Sequence, residues 1–192
     1  MGGLSIAGVQ ILYLVLAAWL AVFAGTWCSS LRALIGAQPE VLPSLMVYAG
    51  LTRDVWTVTA LSLFAGLAFD SMSLNPAGVS VLPLFLAGWC VSMNRDLILR
   101  QETYAQFMLG AAAGALCPLA SLLLITVFLR ERIEPPILGW RHVWQWGVVS
   151  TCAGMAVPLF SWGGEAVRRA FAYEPVVDNR YRGDREMKRW KF

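Results

Sequence analysis

The chain has 192 residues, of which 58% are hydrophobic and only 14% charged, with a net charge of +3. Those proportions exclude an ordinary water-soluble domain, which needs more polar surface than this sequence owns. The basic surplus is small and gathers in the last thirty residues, so it gives no reason to expect a nucleic-acid partner.

Ile6 to Cys28 carries no charge and is long enough to cross a hydrocarbon core of roughly 30 Å. Met1 to Ser5 holds no Lys or Arg, so the run is expected to be a retained span rather than a cleaved signal peptide. Further apolar segments follow at Val41 to Thr52, Val55 to Phe69, Val79 to Met93, Phe107 to Leu129 and Val143 to Trp162. The expected fold is an all-α integral membrane protein, a compact bundle of about six transmembrane helices, with residues 1–162 as the membrane domain and 163–192 as a basic tail. The second, third and fourth segments are short for a bilayer, so five spans is the rival count.

Pro39 and Glu40 look like the start of the second segment, with proline in a first turn and a carboxylate at a helix amino end. Asp70 is an expensive residue in an apolar context. At a helix carboxyl end it needs compensation, either from backbone N–H groups of the next turn or from an arginine such as Arg32 or Arg141; an interhelical or proton-linked role is the other reading. Asn75, Pro76 and Gly78 form a turn in which glycine permits a left-handed position. Pro83, Pro118 and Pro158 are expected to kink their spans. Gly110 and Gly114 make a small-xxx-small face, suited to packing within the chain or to a homodimer.

Trp27, Trp56, Trp140, Trp144 and Trp162 fall near span ends, at headgroup level, whereas Trp19 and Trp89 are expected inside the bundle. With six spans, Arg53, Arg95, Arg100 and eight basic residues beyond Trp162 share one side; Arg32, Arg130, Arg132 and Arg141 share the other. That asymmetry predicts a cytoplasmic carboxyl terminus in a multi-pass membrane protein, with the tail near anionic lipid. Cys28, Cys90, Cys117 and Cys152 stand singly, and His142 has no spaced partner, so neither metal nor cofactor is expected. No nucleophile elbow, phosphate loop or His-Glu-x-x-His is present, so no enzyme class is indicated.

Gln38-Pro-Glu-Val-Leu-Pro-Ser-Leu-Met-Val-Tyr48, followed by Gly66-Leu-Ala-Phe-Asp-Ser-Met-Ser-Leu-Asn-Pro-Ala-Gly78, resembles the bacterial rod-shape-determining MreD family. Pro39 and Glu40 match its Pro-acidic helix start; Gly66, Leu67, Asp70, Pro76 and Gly78 match its Gly-Leu-x-x-Asp and Pro-x-Gly elements. The resemblance covers roughly residues 6 to 129. Glu40 replaces the more usual Asp, Ala77 a common Leu, and the tail is longer than the family's. The resemblance implies a non-enzymatic inner-membrane scaffold of the elongation machinery, acting in cell shape and peptidoglycan synthesis. Its implied partners are an MreC-like bitopic protein, an MreB-like actin homologue, and a wall polymerase and transpeptidase. It also implies a fold similar to the substrate-binding subunits of energy-coupling-factor vitamin transporters, the alternative function. In that alternative Glu40, Asp70 and the tryptophans line a small-molecule pocket.

Overall fold

The computed structural model describes residues 6–27, 40–73, 76–95, 102–129 and 140–171. Pro39, Cys28, Arg32, Arg100, Arg130, Arg132 and the tail beyond 171 lie outside them, as do the side chains of Trp27, Trp140, Arg141 and His142. Six helices fill the described residues: α1 (Ile6–Trp27), α2 (Leu42–Thr52), α3 (Val55–Met72), α4 (Val81–Met93), α5 (Thr103–Leu129) and α6 (Trp140–Phe171). Four of them, α1, α3, α5 and α6, are long and apolar enough to cross a membrane; α2 and α4 are shorter apolar helices.

Helix α2 is the axis of the molecule. It touches every other helix, and the other five close a ring around it in the order α1, α3, α4, α5, α6 and back to α1. Every residue from Leu42 to Leu51 is buried. Only a helix that is apolar all round can sit there, because a central element has no solvent face on which to place a charge. An α-helix also satisfies its own backbone, which matters where no water is available. Ser44 is the polar exception, and its hydroxyl donates to the Ala153 carbonyl of α6 at 2.8 Å. Pro43 occupies the first turn, where its missing N–H costs nothing, and the Arg53 N–H closes the other end on Ala49 O at 2.8 Å.

Glycines set how tightly the ring closes. A Cβ on Gly50 of α2 would stand 2.5 Å from the Gly88 carbonyl oxygen of α4, and one on Gly66 of α3 would stand 2.8 Å from Val81 Cα. In both places a glycine lets its helix approach the backbone of the next, an approach that only small residues allow. Helices α5 and α6 meet the same way: a Cβ on Gly110 would stand 2.7 Å from Ala153 O, one on Gly114 would collide with Ala153 Cβ, and Gly154 packs under Phe107. The Gly110 and Gly114 face is therefore filled by the chain's own last helix.

Several boundaries differ from the sequence reading. Helix α3 runs three residues past Phe69, so Asp70 sits inside its last turn. Helix α6 continues through Trp162 to Phe171, because Gly163 and Gly164 lie under Tyr13 and Tyr48 and remain helical. Pro83 falls in the first turn of α4 rather than in a helix interior, whereas Pro118 and Pro158 are interior. Trp19 and Trp89 are not inside the bundle. They are 56% and 37% exposed and stack on Phe23 and Phe85 of their own helices, at centroid distances of 5.7 and 6.2 Å. Period alone could not place them, since a helix facing lipid is apolar on both faces.

Candidate functional site

The connections alternate the helices, so α1 begins and α6 ends at one end of the bundle, the near end. At the other, far end, α3 passes to α4 through the turn that contains Gly78. Asp70 is 2% exposed there. Its Oδ2 accepts the Gly78 N–H at 2.7 Å and the Ser80 N–H at 3.2 Å. Gly78 has φ of +96°, a left-handed conformation strained for any residue with a side chain, and this conformation turns its N–H back toward the carboxylate. The turn itself closes through the Val79 N–H on Pro76 O at 3.3 Å. Two backbone N–H groups at the start of α4 thus compensate a buried charge at the end of α3. Asp70 Oδ1 is buried with no hydrogen-bond partner among the described residues.

Glu40 does not form part of a helix. It stands two residues before Leu42, ahead of the α2 N-cap Val41, and the first-turn proline of that helix is Pro43. Its carboxylate lines a cavity of about 230 Å³ at the far end. The walls come from five helices: Ala21 and Gly25 of α1, Phe69 of α3, Pro83 of α4, and Cys117 and Ser121 of α5, with the start of α2 as the floor. The cavity has a simple origin. At about 1.5 Å per residue, the 11 residues of α2 span far less than the 27 of α5, so the ring continues past the end of its axis. The Cys117 thiol points at Pro83 O, 3.7 Å away, and the Ser121 hydroxyl donates to Cys117 O at 3.1 Å.

The near end holds a different set of polar groups. Tyr13 donates to Phe160 O at 3.1 Å and meets Tyr48 edge to face, with ring centroids 6.3 Å apart. Arg53 donates to Gln10, Ser161 donates to Gln106 at 2.9 Å, and Arg95 lies 3.8 Å from Asp54. No group of three His, Cys, Asp or Glu side chains is arranged for a metal among the described residues.

Compared with known proteins, the chain matches no family model, no curated protein and no solved structure. The site must therefore be judged on its own geometry. Of the residues singled out in the sequence, Gly66, Asp70, Pro76 and Gly78 come together in one corner between α3 and α4, because Gly66 packs on Val81 just beyond the turn that Asp70 holds. Glu40 stands apart from that turn, across the cavity whose wall includes Phe69 and Ser80. Gly110 and Gly114 belong to neither group. Sequence reasoning missed Gly50, Gly88, Gly163 and Gly164. Their only signal is the recurrence of small residues in apolar segments, which does not say which helix they face.

Proposed function

We propose that this chain is a non-enzymatic, multi-pass membrane scaffold of the cell elongation machinery, as its resemblance to MreD implies. The observation that carries this reading is the α3–α4 corner. Two of the residues that bear the resemblance spend their chemistry on architecture: Asp70 is committed to two backbone N–H groups, and Gly66 to helix packing. The corner presents Leu67, Met72, Pro76, Ala77 and Leu82 outward. A turn held by a buried carboxylate, with apolar side chains on its rim, suits contact with a neighbouring membrane protein. In this reading the near end faces the cytoplasm, and the multi-pass bundle sits in the bacterial inner membrane.

A mild-detergent pull-down from native membranes, read by mass spectrometry, tests the proposal. Recovery of an MreC-like protein and wall synthases is expected, and Asp70→Ala should reduce that recovery more than Glu174→Ala in the tail. Equal, negligible effects of the two substitutions on recovery and cell width would sink the assignment. A carboxyl-terminal reporter should read cytoplasmic; a periplasmic signal would overturn the orientation. The substrate-binding subunit of an energy-coupling-factor transporter is the second reading, favoured by one observation, the far-end cavity. Recovery of paired ATPases with a transmembrane coupling subunit would select it.

A further inference from the structure

The far-end cavity is not a packing defect of apolar helices, because the chain places a carboxylate in it. Glu40 lines the space with Phe69, Pro83, Leu84, Leu122 and Ile125, and the two serines there are Ser80 and Ser121. No Lys, Arg or His pairs with Glu40 among the described residues. A second carboxylate stands directly behind the wall: Ser80, which lines the cavity, donates its backbone N–H to Asp70, whose other oxygen is buried without a hydrogen-bond partner. Two effects oppose each other at Glu40: the amino end of α2 beneath it favours a negative charge, and burial raises its pKa towards the neutral form. An ionised group walled by carbon is nevertheless costly until an opposite charge arrives.

We propose that this cavity binds a small organic monocation with an apolar body, a protonated alkylamine or quaternary ammonium, held by the Glu40 carboxylate. A hard divalent ion fits poorly, since it takes six or more oxygen ligands and the described lining offers one carboxylate and two hydroxyls. Zinc fits no better: among the described residues no His lines the cavity, and the one thiol, Cys117, is directed at Pro83 O. A weakly hydrated organic cation makes fewer demands. Its charge meets Glu40, its carbon body meets the apolar walls and the Phe69 ring, and an alkylammonium N–H also finds the Ser121 oxygen, whose own proton is given to Cys117 O. A cavity of about 230 Å³ admits an ammonium group with a short alkyl body.

The proposal stands on the cavity and goes beyond the scaffold reading; under the second reading it names the ligand class. Loss of partner recovery leaves it intact, and loss of cation binding leaves the scaffold intact. The test is equilibrium binding of radiolabelled butylammonium to the full chain in nanodiscs of phosphatidylglycerol, with empty nanodiscs subtracted. Saturable binding is expected, displaced by unlabelled butylammonium but not by butanol or calcium. Glu40→Gln should weaken it at least about tenfold. Gly25→Leu keeps Glu40 and fills the cavity from a position with no atom within 4 Å of an added Cβ, and it should also abolish binding. Adding phosphatidylethanolamine identifies the source: displacement of the probe marks a lipid headgroup as the ammonium, and retention marks a free amine. Absence of saturable binding, or equal binding by the wild type and both variants, would overturn the proposal.

Discussion

The two ends of the bundle are built on opposite plans. At the near end the ring is drawn shut: Tyr13 and Tyr48 lie across Gly163 and Gly164, Arg53 reaches Gln10, and Ser161 reaches Gln106. At the far end a Cβ on Gly25 would meet nothing within 4 Å, and a cavity remains where α2 has ended. The same axial helix causes both. Arg53 and Asp54 link it at the near end to α3, so the chain turns within the ring, whereas its other end stops short of the ring helices. A filled end and a hollow end tell which half of the molecule carries stability and which is free to bind.

Glycine substitution gives the sharpest way to break that comparison. Gly50→Ala places a methyl 2.5 Å from a backbone oxygen that cannot rotate away. It should cost about 3 kcal/mol, at the upper end of overpacking penalties, seen as a lowered thermal unfolding midpoint in detergent. Asp70→Ala comes next, because it takes the acceptor from the partly buried Gly78 N–H and the buried Ser80 N–H. A loss of about 2 kcal/mol is expected from their desolvation, with Asp70→Asn milder because an amide oxygen still accepts; equal effects of Ala and Asn would show that the two hydrogen bonds contribute nothing.

Ser44→Ala removes one helix-to-helix hydrogen bond from α2 to α6, and such bonds in membranes are worth about 0.6 kcal/mol. A clearly larger loss would mean that the carbonyl of Ala153 finds no other donor. Gly25→Ala should have the opposite sign. It gains up to about 1 kcal/mol of helix propensity without a clash, and a destabilised Gly25→Ala protein would contradict the hollow far end. Trp19→Leu on the exposed face should leave the unfolding midpoint within about 0.5 kcal/mol of the wild type.

Much of the architecture is legible in the residues one by one. The charge-free runs place the helices, and the cost of charge in lipid confines Arg53, Asp54 and Arg95 to the ends. Asp70 with Gly78 announces a clamped turn, since a carboxylate at a helix carboxyl end must be compensated locally. Trp19 and Trp89 were not legible, because an aromatic ring serves equally well against lipid or against another helix. Nor was the role of Gly163 and Gly164, which suggest a helix end in isolation yet stay helical under two tyrosines.

Composition and hydropathy by themselves determined that this is a bundle of apolar helices, because long uninterrupted apolar runs satisfy their own backbone as helices, whereas barrel strands alternate apolar with polar residues. Only the tertiary structure decided that the short second helix is the axis, since shortness reads equally as an edge, a re-entrant loop or a centre. Only the tertiary structure, too, put Glu40 into a cavity: its distance from Phe69, Ser80 and Ser121 is a matter of which helices close the ring, and no local propensity encodes that.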